Sequence, residues 1–346
     1  MLVAPDLLLE VKGLSKRFPI KKGLVFKKTI GQVHAVTDVS FNVGRNETVS
    51  IVGESGSGKT TIAKMVSGLL NPTSGSIMFE GKEMWKLTKS EFKEARKKIG
   101  IVFQDPFASL NPRMKIHEII SEPLAIHHWK TKAERMERSK ELLAQVGLSR
   151  SDVSKYPHQF SGGQLQRIAI ARALALNPSL IVADEPVSSL DVSVQAKIIN
   201  LMYDLQKSLG ISYLMISHDL GVVRHISNRV LIVYLGHVME LAQSEELFSR
   251  VLHPYSQALF SSVLVPNVEI MQKNPPKLLS GEIPSPVNLP NGCEFNTRCP
   301  YVQDNCKKEE PELLQASDKS EHLVSCFYWK EIEQGKLLAS DEPVTN

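Results

Sequence analysis

Long hydrophobic runs are missing from this sequence. No stretch approaches the roughly 18–20 consecutive apolar residues of a membrane span, and the most apolar segments, Ile211–Ile216 and Val230–Leu235, are strand-length. Met1–Glu10 has neither the basic start nor the long apolar run of a secretory leader. These absences predict a chain that stays in the cytoplasm and reaches a membrane only through a partner. A strong charge of one sign is missing too. The net charge of +4 is mild and mixed along the chain, so nucleic acid is not demanded. Cysteine is absent before Cys293, and all 4 cysteines follow from there. In a reducing compartment such clustering reads as a metal site before it reads as disulfides.

The 346 residues and their 42% hydrophobic content suit two domains, or one large domain with an appendage. Leu7–Val11, Val33–Val36 and Val39–Val43 read as antiparallel strands, with the lysine-rich Lys21–Lys28 as an exposed loop between them. Thr48–Val52, Ile99–Phe103, Leu180–Ala183, Tyr213–Ile216 and Val230–Tyr234 read as buried strands. Helices alternate with them, as in Lys59–Gly68 and Val192–Lys207, which predicts an α/β fold with a mostly parallel sheet. A helical insertion is expected at about 106–176, including an amphipathic stretch at Glu134–Val146 that stops at Gly147. Pro266, Pro275, Pro276, Pro284, Pro286 and Pro290 then break any long element and predict a linker into a cysteine-bearing appendage.

Gly53-Glu54-Ser55-Gly56-Ser57-Gly58-Lys59-Thr60 matches the G-x-x-x-x-G-K-[ST] phosphate loop, with an apolar strand before it and helix signals after it. The glycines let backbone N–H groups turn inward around phosphate oxygens, and the helix start adds its dipole. Lys59 is expected to pair with phosphate, and the Thr60 hydroxyl to reach Mg²⁺. Downstream, Leu180-Ile181-Val182-Ala183 ends in Asp184-Glu185. Ligands in open α/β sheets lie at the carboxyl ends of strands. Asp184 is therefore placed to hold Mg²⁺ and Glu185 to polarise an attacking water.

Phe160-Ser161-Gly162-Gly163-Gln164 opens a second helix, with Ser161 as N-cap and two glycines that let the backbone approach an anion. A second phosphate-binding helix start makes sense if it serves another nucleotide face. With these motifs in this order, residues 5–265 resemble the ABC transporter ATPases. The resemblance implies a P-loop NTPase core with an antiparallel β subdomain and a helical insertion. It implies that Ser161, Gly162, Gly163 and Gln164 contact the ATP of the opposite subunit in a head-to-tail dimer. Gly53, Ser55, Gly56, Ser57, Gly58, Lys59, Thr60 and Thr61 would cradle this chain's own nucleotide. Gln104 corresponds to the Q-loop glutamine that contacts Mg²⁺ and water, His218 to the switch histidine and Asp191 to the D-loop that couples two sites. Phe18 falls where the family stacks a ring on adenine, though a core role fits that residue equally. Phe160 and Ser189 depart from the commoner Leu and Ala without removing a ligand.

The Lys21–Gly31 insertion, the run Gln104-Asp105-Pro106-Phe107-Ala108-Ser109-Leu110-Asn111-Pro112 and His253-Pro254-Tyr255-Ser256 before the cysteine tail resemble the F-type ATPases of oligopeptide/dipeptide importers. That likeness implies a nucleotide-binding domain over 1–265 and an importer-type C-terminal domain over 266–346. It also implies a homologous D-type ATPase partner in a head-to-tail heterodimer, two membrane permeases, an extracytoplasmic binding protein and a place on the cytoplasmic face of the membrane. Some members of this subfamily import oligosaccharides, and no residue of an ATPase touches cargo. Cys293, Cys299, Cys306 and Cys326 have the spacing C-x₅-C-x₆-C-x₁₉-C, which matches neither common zinc knuckles nor the tight ferredoxin run. Zinc, an iron–sulfur cluster and unligated thiols all stay open on spacing. The resemblance implies a [4Fe–4S] cluster, since similar tails in the family hold one. A soluble ABC ATPase acting on nucleic acid is the competing reading. It is disfavoured by the single cassette and by an insertion without sustained heptads. The expected partners accordingly exclude nucleic acid.

Overall fold

A computed structural model describes residues 7–22, 28–261, 281–317 and 320–339. The chain opens on a long antiparallel ribbon, β1 (Leu7–Lys22) against β2 (Lys28–Gly44). β3 (Thr48–Val52) follows, buried at every residue. The phosphate-loop segment then leads into α1 (Lys59–Val66). β4 (Ser74–Phe79) and β5 (Lys82–Glu83) complete an antiparallel sheet in the order β2-β1-β4-β5. α2 (Lys89–Lys97) precedes β6 (Ile99–Val102).

Next come α3 (Pro106–Ser109), α4 (Ile116–Ile126), α5 (Lys132–Gln145) and α6 (Gly162–Ala173). Their limits are written in local chemistry. Thr131 and Glu134 form a reciprocal capping box at the start of α5, and Gly147 just past its end takes φ +73. The remaining elements alternate as expected: β7 (Leu180–Asp184), α7 (Val192–Leu209), β8 (Ser212–Ile216), α8 (Leu220–Ile226), β9 (Arg229–Tyr234) and β10 (His237–Gln243). α9 (Ser244–Ser249) and α10 (Pro254–Ser261) pack after them. β11 (Leu314–Gln315), β12 (Leu323–Val324) and α11 (Trp329–Glu333) lie in the C-terminal part.

The main sheet has the order β11-β12-β10-β9-β3-β8-β7-β6. Its centre, β9-β3-β8-β7-β6, is parallel, which requires both faces to be covered. One face carries α1 and the antiparallel sheet, with Ile62 and Met65 against Val49, Ile51 and Leu214. The other carries α6 and α7, with Ile168, Ile198 and Met202 against Ile181, Tyr213 and Met215. Each fully buried aliphatic side chain contributes about 1.5–3 kcal/mol. The sheet is therefore a rigid floor from which the strand-end loops project.

Two details depart from the sequence reading. Val33–Val36 and Val39–Val43 are parts of one strand, β2, and β1 runs on through Lys21 and Lys22. Register shifts let this ribbon bend and continue where the alternation of apolar residues breaks, and Asp38 sits there at φ +50. The rest of the Lys21–Lys28 segment falls largely outside the described residues, as do Pro266, Pro275 and Pro276 of the expected linker. The cysteine-bearing segment has a small cluster of its own, Ala316, Val324 and Trp329 with Leu252, yet it is also built into the main fold. β12 pairs with β10 through Glu240↔Val324 and Leu241↔Leu323, and Cys293 and Phe295 belong to the main core.

Candidate functional site

The loop between β3 and α1 turns on glycines where a side chain cannot go. Gly58 has φ +103, and a Cβ there would lie 2.4 Å from the Ala35 carbonyl oxygen. A Cβ on Gly53 would lie 2.1 Å from the Val233 carbonyl oxygen. The loop is thus wedged between β2 and the β9–β10 hairpin, whose Gly236 N–H donates to the Ser57 carbonyl over 2.9 Å. Ser55, Gly56 and Thr60 face solvent, while Ser57 and Lys59 are buried. The Lys59 ammonium donates to the carbonyls of Gly53 and Glu54 at 2.8 and 2.7 Å. Burial lowers its pKa, with Glu185, Asp184 and Glu54 opposing that shift. Lys59 is thus a desolvated cation held over the loop, suited to an anionic partner. Thr61 is half-buried in the first turn of α1.

Three adjacent parallel strands deliver the other groups to the same edge of the sheet. β7 ends at Asp184, whose Oδ1 accepts from the Thr60 hydroxyl at 3.2 Å. Glu185 leaves the strand at φ +46, and its N–H donates to the Ile216 carbonyl of β8. This turn aims its carboxylate between the ends of β6 and β8. There Gln104 Nε2 donates to Oε2 at 2.8 Å, and His218 Nδ1 lies 3.3 Å from Oε1. Sequence positions 104, 185 and 218 therefore meet at one carboxylate. Burial raises the pKa of Asp184, the Thr60 hydrogen bond opposes this, and the Glu185 charge adds to it. A carboxylate under that load is stabilised by a divalent cation. Thr60 and Asp184 supply the hard oxygen donors that Mg²⁺ prefers.

The Ser161 segment opens α6. Ser161 and Gln164 form a capping box at the start of α6, Ser161 N–H donating to Gln164 Oε1 at 2.9 Å. A Cβ on Gly163 would lie 2.4 Å from Val194 Cγ1, and one on Gly162 would touch Leu190 and Phe107. This loop is therefore packed against the start of α7, where Asp191 is the exposed N-cap residue without a capping side-chain bond. Phe18 is not a core residue: its ring is 37% exposed on β1, with the Lys16 ammonium 5.2 Å from the ring centroid.

All four cysteines line one small apolar cavity of ≈ 20 Å³, beside His253, Phe295 and Tyr301. The segment closes on itself through the Cys293 N–H, which donates to the Cys306 carbonyl at 2.8 Å. Burial pushes the thiols of Cys299 and Cys326 up to about 12, and that of Cys293 higher still. Among the described residues, no three of the sulfurs lie mutually within 4.8 Å. A tetrahedral zinc with Zn–S near 2.3 Å needs sulfurs about 3.8 Å apart.

Sequence reasoning missed a second group, His237, Glu294 and Glu310, whose ligand-type atoms lie within 4.8 Å of one another. Nδ1 of His237 is 3.1 Å from the Leu235 carbonyl, and its Nε2 is 3.3 Å from Glu294. Burial holds the His237 pKa down to about 4 and lifts Glu294 to about 7. Arg298 and Glu54, which form a partly buried ion pair, were also missed. No local pattern links either set.

Comparison with known proteins places this geometry. Residues 36–188 match the family model for the ABC transporter, and residues 239–306 match that for the oligopeptide/dipeptide transporter C-terminal region. The oligopeptide transport ATP-binding protein AppF of Bacillus subtilis is 51% identical over 325 residues, covering 94% of this chain and 98% of AppF. The chain is an ABC transporter ATPase. The oligopeptide transport ATP-binding protein OppF of Haemophilus influenzae is 47% identical, covering 93% of this ATPase and 97% of OppF. Among solved structures, the dimeric post-hydrolysis state of the ATP-binding cassette MJ0796, bound to ADP and Pi, superposes with a TM-score of 0.60 at 32% identity, covering 68% of this ATPase and 98% of that chain. CbiO1 from Clostridium perfringens, part of the ABC transporter complex cbiONQ, gives 0.62 at 26% identity over 78% of this ATPase and 99% of that chain. As a member of this family, the ATPase binds and hydrolyses ATP with Mg²⁺. The importer-type match begins at 239, inside β10, so it spans the boundary expected at 265. No helix among the described residues is long and apolar enough to cross a membrane.

Proposed function

We propose that this ATPase drives an importer of oligopeptides or dipeptides. The observation that carries the proposal is its likeness, over nearly its whole length, to oligopeptide transport ATP-binding proteins, together with the importer-type C-terminal match. In this reading the cassette occupies 1–265 and the importer-type region 266–346. The chain pairs head-to-tail with a homologous D-type ATPase. It docks on two permeases at the cytoplasmic face of the membrane and serves an extracytoplasmic binding protein.

The geometry and the family resemblance together support the following roles. The backbone of Gly53, Ser55, Gly56, Ser57, Gly58, Thr60 and Thr61, with the Lys59 ammonium, receives the phosphates. Phe18 offers its exposed ring to adenine. Thr60, Asp184 and Gln104 hold Mg²⁺, which when bound supplies charge neutralisation along the phosphates. Glu185 accepts a hydrogen bond from the attacking water and orients it. Gln104 and His218 hold that carboxylate in line, and His218 also donates toward the γ-phosphate. Ser161, Gly162, Gly163 and Gln164 face the ATP of the partner cassette, and Asp191 lies beside them at the junction. The four cysteines hold a [4Fe–4S] cluster that ties the C-terminal region to the main core. The convergence of all four cysteines on one site and the likeness of this tail to those of the peptide-importer ATPases support that choice.

Cargo is tested by uptake. Cells lacking this chain are expected to lose energy-dependent accumulation of labelled di- to pentapeptides and to regain it with the wild-type gene. Oligosaccharide uptake is expected to stay unchanged. Loss of sugar uptake with peptide uptake intact would overturn the peptide reading and keep the machine.

A further inference from the structure

The phosphate loop is held from behind by the C-terminal region. Arg298 lies 244 residues after Glu54, yet its guanidinium meets that carboxylate with both arms, Nη1 to Oε2 at 2.7 Å and Nη2 to Oε1 at 3.1 Å. The Arg298 side chain is 6% exposed and that of Glu54 23%. Nη1 also donates to the Tyr234 hydroxyl at 3.3 Å. The Tyr255 hydroxyl accepts the Glu54 backbone N–H at 2.9 Å, so Glu54 is gripped at side chain and main chain together. Its carbonyl in turn accepts from Lys59 at 2.7 Å.

Arg298 is itself fixed. It sits in the turn between Cys293 and Cys299, where its N–H donates to the Phe295 carbonyl and the Asn296 N–H to the Cys293 carbonyl. Phe295 is fully buried and meets Tyr234 edge-on at 5.4 Å. The residue thus has a rigid base in one region and a charged fork in the other. A bidentate arginine–carboxylate pair is directional and strong when shielded from water, and removing one member leaves an uncompensated charge. Here the charge left by loss of Arg298 would be the Glu54 carboxylate, within the very loop that must accept an anion.

We propose that Arg298 is a positioning residue for nucleotide binding. It fixes Glu54, neutralises its charge beside the phosphate-binding backbone, and makes ATP affinity depend on the C-terminal region. By thermodynamic reciprocity, bound ATP strengthens the seating of that region. This inference does not depend on what the four cysteines hold.

The test measures equilibrium binding of ATP to the full-length chain, with the melting temperature recorded for every variant. R298Q exposes the Glu54 charge to the phosphates and is expected to weaken binding about tenfold. E54Q leaves the Arg298 cation facing the loop and is expected to act in the opposite direction, tightening binding about two- to threefold while lowering the melting temperature. The double variant, with neither charge, is expected to return to within about twofold of wild type. R298K keeps the charge without the fork, is the variant to use if R298Q does not fold, and should weaken binding about two- to threefold. A purely structural pair would weaken binding alike from either side, in step with melting temperature. That result, unchanged affinity in R298Q or R298K, or a double variant no better than R298Q would overturn the proposal.

Discussion

Replacing Glu185 with Gln is expected to lower the ATP turnover of the assembled transporter by about 100- to 10,000-fold, the range for loss of a positioned general base. ATP binding should remain. The glutamine keeps the size of the side chain and can still face Gln104 and His218, which hold Glu185 at 2.8 and 3.3 Å in the wild type. It cannot take up the developing proton of the water. Burial is the main cause of the raised Asp184 pKa, and removing the neighbouring carboxylate relieves the repulsion that adds to it, so nucleotide affinity should hold or improve. Because Glu185 stands at a strand end rather than in the core, the melting temperature should scarcely move. Phosphate-release kinetics and equilibrium nucleotide binding on one preparation check both halves. Undiminished hydrolysis would remove Glu185 from its role. Lost binding with unaltered hydrolysis per bound nucleotide would make it a ligand instead.

The anaerobically purified chain is expected to carry about four iron and four sulfide atoms, with a broad visible absorption band lost on oxidation. C299S should lose that iron and lower the melting temperature by about 5 °C. The physical reason lies in the cavity. Burial disfavours the thiolate form of Cys293, Cys299 and Cys326, so only a bound metal group would hold them as thiolates there, and its loss should be felt in the fold. Cys293 and Phe295 also belong to the main core, so a loosened cysteine turn is felt by Tyr234 and Tyr255. Iron below one atom per chain, or stoichiometric zinc in its place, would overturn the cluster.

Much of the nucleotide site could be read from the sequence because its chemistry is local. The phosphate loop needs its glycines, lysine and threonine within eight positions, and the structure holds Lys59 over the loop carbonyls and Thr60 against Asp184. Asp184 and Glu185 follow a strand whose four preceding residues are all buried, which marks them as a strand-end pair. Ser161 and Gln164 announce their helix by a capping box. What remained hidden depends on partners far apart in sequence. β1 and β2 run through bulges that no regular alternation marks. The C-terminal segment looked like an appendage because its prolines break local elements, while the pairing of Leu323 with Leu241 carries no periodic signal. Arg298 and Glu54 are ordinary charged residues until the fold closes a separation of 244 positions.

The most direct measurement of the central claim is the Mg-ATPase rate of this chain co-purified with its neighbouring transporter subunits and reconstituted in lipid, with the binding protein supplied empty, peptide-loaded or sugar-loaded. The account expects stimulation by the peptide-loaded form alone. A complex that does not assemble, or a rate indifferent to the binding protein, would contradict it.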